Sequence, residues 1–128
     1  MNIEHIAINV EAPNKMAQWL GDHLGMRVVR AMNDANETQF IVDEAGRVVI
    51  ELYNNPASPM PDYRGMNPLV FHIAFSVDDV AAARERLIAA GATAEGDINT
   101  TPAGDQLAFL RDPWGVPLQL VRRSKPML

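Results

Sequence analysis

From Ile6 to Val10 apolar and polar side chains take turns, and the same alternation returns from Ile73 to Val77. Residues two apart in a strand share a face. In HIAINV, Ile6, Ile8 and Val10 therefore lie on one side, with His5, Ala7 and Asn9 on the other. In HIAFSV, Ile73, Phe75 and Val77 oppose His72, Ala74 and Ser76. Each strand predicts an aliphatic face buried under a helix and a face of small and polar groups that suits the wall of a cavity.

After each strand the period lengthens to that of a helix. Pro13 to Leu24 reads as the first: Pro13 is tolerated in a first turn, Met16, Trp19, Leu20 and Leu24 form an apolar stripe, and Gly25 ends it. That stripe is packing rather than a cofactor box, and His23, beside Asp22, is expected to be exposed. Val80 to Ala90 reads as the second, capped by Asp78 or Asp79, with Val80, Ala83, Leu87 and Ala90 inward and Gly91 closing it. Further strands follow: MRVVRAM, TQFIVD and VVIELY in the first half, then a weaker one around Thr93 to Asp97, QLAFLRD and VPLQLVR in the second. The EAGR and PWG stretches supply turns.

The order β-α-β-β-β is thus written twice, an α+β arrangement of two tandem modules in one domain of residues 1–128. Module one covers about residues 1–53 and module two about 69–123. The irregular stretch 54–68 links them, with four of the nine prolines.

Composition narrows the function. Hydrophobic residues are 48% and charged residues 21%, ordinary for a folded globular chain. The net charge is −5 with a pI near 5.0, and Arg122, Arg123 and Lys125 form only a short basic tail, so no nucleic-acid partner is expected. There is no cysteine, which removes disulfides, thiolate metal sites and a Cys nucleophile. MNIEHIAINV lacks a secretory pattern and no run of about 18 apolar residues occurs, so no membrane association and a cytoplasmic location are expected.

Candidate chemistry lies on the polar faces. Glu51 stands between Ile50 and Leu52, and Gln119 between Leu118 and Leu120. Glu51 follows His5 by 46 residues, and Gln119 follows His72 by 47. A lone strand histidine is ordinarily a satisfied structural residue. Two of three histidines at equivalent positions, each with an oxygen-bearing partner between aliphatics, point instead to a metal site.

The stretches HIAINV, LGMRVVR, VIELY, FHIAFSVDDV, LIAAGA and DPWGVPLQLV resemble the vicinal oxygen chelate superfamily, which includes glyoxalase I, extradiol dioxygenases and bleomycin-binding proteins. The resemblance spans nearly the whole chain and is nearest to bacterial glyoxalase I. It implies curled mixed sheets around a metal and substrate cavity, with one divalent ion on His5, Glu51, His72 and Gln119. A homodimer is also implied, although some relatives close the site within one chain. It further implies that Arg30 contacts substrate, with glutathione or another thiol as cosubstrate; Tyr53, an aromatic that can line the cavity, is the second substrate-binding candidate. Gln119 departs from the glutamate of glyoxalase I, and Phe71 from the usual glycine before the second histidine.

Imidazole, carboxylate and amide donors without sulfur suit Ni, Co, Mn, Fe or Zn. Such an ion can stabilise an enediolate while one base removes a proton beside a carbonyl. Glu51, the single carboxylate of the four, would be the catalytic base. The expectation is a glyoxalase I-like, metal-dependent lyase or isomerase acting on a small α-oxo compound or its thiol adduct. Two alternatives stay open: a non-catalytic binding protein with Tyr53, Tyr63 and Trp114 lining its cavity, and an Fe(II) extradiol-type dioxygenase using His5, His72 and Glu51.

Overall fold

The computed structural model describes residues 1–127. Two compact units divide the chain, unit 1 at Met1–Pro61 and unit 2 from Asp62 onward, so the boundary falls inside the proline-rich stretch. Both show the β-α-β-β-β order expected from the sequence.

Unit 1 contains β1 (Ile6–Asn9), α1 (Pro13–Leu24), β2 (Arg27–Ala31), β3 (Gln39–Val42) and β4 (Val49–Tyr53). Its sheet has the order β1-β4-β3-β2. The β1–β4 pair is parallel and the other two pairs are antiparallel. Met16, Ala17, Trp19 and Leu20 of α1 are buried, as are Ile8, Ile41, Ile50 and Leu52 of the strands. This is the aliphatic face read from the alternation, except that Ile6 is half exposed at the start of β1. α1 begins without a side-chain cap, Pro13 taking a first-turn position where no N–H is needed. It ends at Gly25 in the left-handed region, φ 70°. His23 is half-buried rather than exposed, its ring 5.3 Å from Trp19. The two stand four apart on one helix face, which brings the rings together.

Unit 2 repeats the pattern with β5 (Ile73–Ser76), α2 (Val80–Ala89), β6 (Thr93–Thr100), β7 (Gln106–Arg111) and β8 (Pro117–Arg122), ordered β5-β8-β7-β6. Again only the first and last strands pair in parallel. Asp79 caps α2, accepting from the Ala82 N–H at 2.9 Å. Val80, Ala83 and Leu87 are buried, with Ala108, Leu110, Leu118 and Leu120 buried in the sheet. β6 is longer than the Thr93 to Asp97 stretch expected. Its ladder to β7 breaks after Glu95 and resumes at Asn99, with Gly96 at φ 72° at the start of the bulge. Among the described residues no helix is long and apolar enough to cross a membrane.

Candidate functional site

Each sheet has a helix-covered face and an opposite, open face, and the register places the same kinds of residue on both open faces. Across unit 1, Ala7 pairs with Glu51, Glu51 with Phe40 and Phe40 with Arg30. Across unit 2, Ala74 pairs with Gln119, Gln119 with Phe109 and Phe109 with Glu95. Paired residues point the same way, so each row is a line of side chains on one surface. His5 and His72 each precede their first strand by one residue and the paired alanine by two. The duplicated spacing in the sequence is a duplicated position in the fold.

In unit 1 the geometry is tight. His5 Nε2 lies 3.2 Å from Glu51 Oε2. The other ring nitrogen, Nδ1, meets the Glu4 carboxylate, which can only accept, so Nδ1 carries a proton. A neutral His5 would then set its Nε2 lone pair against a carboxylate oxygen, two acceptors facing each other. The pair calls for a cation between or upon them, either a proton or a metal. The Glu4 hydrogen bond raises the His5 pKa most, partial desolvation opposes it, and the charges of Glu4 and Glu51 raise it further. These two donors fit a divalent ion in chemistry and in convergence.

Unit 2 presents a matched but uncharged pair. His72 Nδ1 donates to the Pro68 carbonyl at 2.7 Å, leaving Nε2 as the nitrogen with an available lone pair. A histidine whose second nitrogen is fixed by a carbonyl is the usual form of a metal ligand. Gln119, half-buried, shares the open face through its pairing with Ala74. Among the described residues no group of three or more His, Asp or Glu side chains converges. What each unit offers is one imidazole and one oxygen donor.

Two phenylalanines complete the pattern and were not singled out in the sequence. Phe40 packs edge-on against His5, ring centres 5.7 Å apart at 84°, and Phe109 packs against His72 at 5.2 Å and 83°. Such perpendicular contacts restrict the imidazole's rotation. Alternation within QFIV and QLAFLR sets each beside an apolar neighbour, Val42 or Leu107, and so does not mark them as site residues. The register that aligns them with Glu51 and Gln119 is long-range and was not available.

The remaining candidates are distributed as follows. Arg30 is exposed on the open face of unit 1, two strands from Glu51, roughly 10 Å at ordinary strand spacing. Tyr53 is half-buried two residues beyond Glu51 and pairs with Asn9, whose side chain holds the Asn55 backbone N–H at 2.8 Å. Tyr63 is buried with its ring 6.3 Å from Phe71, and Trp114 is half-buried at the β7–β8 turn.

Residues 2–120 match the family model of the Glyoxalase/Bleomycin resistance protein/Dioxygenase superfamily. The chain belongs to this superfamily. Among solved structures, a glyoxalase family protein from Bacillus cereus is 18% identical with a TM-score of 0.81, covering 95% of this chain and 93% of that one. A glyoxalase/bleomycin resistance protein/dioxygenase family enzyme from Burkholderia phytofirmans PsJN is 18% identical at a TM-score of 0.77, covering 95% and 98%. TnmS3, an antibiotic binding protein from Streptomyces sp. CB03234, is 22% identical at a TM-score of 0.69, covering 97% and 99%. These likenesses establish the shared fold of the superfamily, in which enzymes and binding proteins both occur. No curated protein matches the sequence.

Proposed function

We propose that this superfamily member is a glyoxalase I-like, metal-dependent lyase or isomerase acting on a small α-oxo compound or its thiol adduct. The observation that carries the reading is the approach of His5 Nε2 to Glu51 Oε2 at 3.2 Å, an arrangement that needs a cation. His5, Glu51, His72 and Gln119 are the donors assigned to a divalent ion. Ni, Co, Zn, Mn or Fe(II) suits such nitrogen and oxygen donors. When bound, the ion supplies Lewis-acid polarisation of adjacent substrate oxygens.

The chain's own residues divide the remaining work. Glu51 takes the proton from the carbon beside the carbonyl, because the Gln119 amide has no basic oxygen for it. Arg30 pairs with an anionic tail of the substrate or of a thiol cosubstrate such as glutathione, about 10 Å along the face from the base. Tyr53 flanks the reacting end. Phe40 holds the His5 ring and excludes water from one side of the pair. A cytoplasmic homodimer completes the reading.

Glu51→Gln tests it, because the variant keeps an oxygen donor and loses the base. Assayed with methylglyoxal and a panel of thiols in the metal-loaded protein, kcat should fall by about 10²–10⁴-fold with metal content retained. Turnover equal to wild type would remove Glu51 from the mechanism.

A second reading is supported by the half-buried rings of Phe40, Phe109 and Tyr53 on the open faces and by the likeness to TnmS3. Here the protein binds a planar small molecule without converting it. Tight binding of such a ligand by metal-free protein, unchanged in His5→Ala, would favour this reading over the enzyme.

A further inference from the structure

Unit 2 contains a second set of polar contacts that no catalytic role has used. Arg111, at the end of β7, is largely buried, with 12% of its side chain exposed. Its guanidinium is paired on every nitrogen. Nε donates to Glu95 Oε2 at 2.8 Å, one terminal nitrogen donates to the Tyr63 carbonyl at 2.6 Å and more distantly to Gly115 at 3.4 Å, and the other donates to the Met66 carbonyl at 2.8 Å. Tyr63 and Met66 are the two ends of one turn, closed by the Met66 N–H to the Tyr63 carbonyl at 3.3 Å. One planar fork therefore grips both ends of a turn that belongs to no helix or strand.

The next turn follows directly, with the Val70 N–H on the Asn67 carbonyl at 2.9 Å. Inside it sits Pro68, whose carbonyl accepts the His72 Nδ1 proton at 2.7 Å. The backbone from Tyr63 to Pro68 is thus tied to the end of β7 through Arg111 and to the β7–β8 turn through Arg64, which donates to the Pro113 carbonyl at 2.8 Å, and it delivers one carbonyl to the histidine. Without that carbonyl nothing in these contacts selects the Nδ1-protonated form of His72. Imidazole in water otherwise favours the proton on Nε2, the nitrogen a ligand role needs bare.

We propose that Arg111 is a positioning residue for His72: by clamping the Tyr63–Met66 turn it fixes the Pro68 carbonyl, keeps the proton on Nδ1 and leaves Nε2 open to a metal ion. Glu95 orients the guanidinium from the other side. The inference deepens the metal-site reading and rests on it for its functional meaning, but the tautomer can be read without any metal. Lysine cannot substitute, because a single ammonium lacks the planar fork that spans two carbonyls and a carboxylate.

The test is long-range 1H–15N correlation of the ring nitrogens in the full chain, stripped of metal with a chelator and held at pH 8, where neutral imidazole dominates. The three histidines are assigned by single substitution. Wild-type His72 is expected with Nδ1 protonated and Nε2 bare. In Arg111→Met and Arg111→Lys the Nε2-protonated form should appear, and Co²⁺ affinity should fall about 10- to 100-fold, the usual effect of losing a ligand's outer support. Arg123→Met, which breaks a comparable Arg–carboxylate contact to Asp105 at 2.8 Å, should leave His72 unchanged.

A folded Arg111 variant with the wild-type His72 tautomer would overturn the proposal, as would an equal change in Arg123→Met. If Arg111→Met fails to fold, Arg111→Lys alone decides in the same way. A tautomer change in the Arg111 variants, beside a wild-type protein that binds no metal, would uphold the positioning and remove the metal reading, so the two fail separately.

Discussion

Asp112 shows how one buried side chain links turn geometry to pH. Its Oδ1 accepts the backbone N–H groups of Trp114 and Val116, each at 2.9 Å, while Oδ2 is buried without a partner. Burial pushes the carboxyl up to about 6, against the opposing pull of the N–H donors and of the Arg64 charge. With the folded value above the ordinary 3.8, the native state holds more protons than the unfolded chain between those two values. This group's contribution to stability is therefore complete below pH 3.8 and is lost as pH rises through about 6. At 1.36 kcal/mol per pKa unit the loss is on the order of 2–3 kcal/mol. Asp112→Asn keeps an oxygen acceptor and cannot ionise. Urea unfolding at pH 4 and pH 7 should show a smaller fall for the variant than for wild type; parallel pH dependences would show that Asp112 is not ionising against its burial.

At the scale of elements, the two units use one construction with local differences. Their third and fourth strands are joined by similar turns: Asp43 accepts the Arg47 N–H at 2.8 Å around Gly46, as Asp112 accepts the Val116 N–H around Gly115. Both glycines are left-handed, with φ 70° and 89°, and a Cβ at Gly115 would stand 2.3 Å from Arg64 Cγ. The helices differ at their starts. α1 relies on Pro13, whereas α2 relies on Asp79, so Asp79→Ala should cost about 0.5–2 kcal/mol. Leu20, fully buried in α1, should cost more when truncated, about 2–5 kcal/mol for Leu20→Ala. Denaturant melts of both variants check the order; an Asp79→Ala loss as large as that of Leu20→Ala would mean that the α2 cap contributes as much as a fully buried leucine of α1. These elements were legible in the sequence because period and punctuation are local: alternation in HIAINV and HIAFSV, the stripe from Met16 to Leu24, the capping aspartate and the closing glycines. β6 was read short because a bulge after Glu95 interrupts the alternation that a sequence pattern follows.

For the whole molecule, duplication is the feature that makes the candidate residues visible in the sequence. His5 and His72, and Glu51 and Gln119, occupy equivalent positions because each module supplies the same two strands in parallel at the edge of its sheet. What the sequence did not disclose depends on contacts between distant segments. The rings of Phe40 and Phe109 reach the histidines through strand register, and Arg111 reaches Tyr63 across 48 residues; the Pro68–His72 contact is local but lies in irregular backbone that no period announces. The central proposal is that His5, Glu51, His72 and Gln119 are ligands of a divalent ion. Metal content by mass spectrometry, on wild type, His5→Ala and His72→Ala after exposure to Ni, Co, Mn, Fe and Zn and removal of the excess, tests it most directly. About one ion per chain in wild type, lost in both variants, is the expected result. A wild type that retains none of the five, or variants that retain as much as wild type, would contradict it.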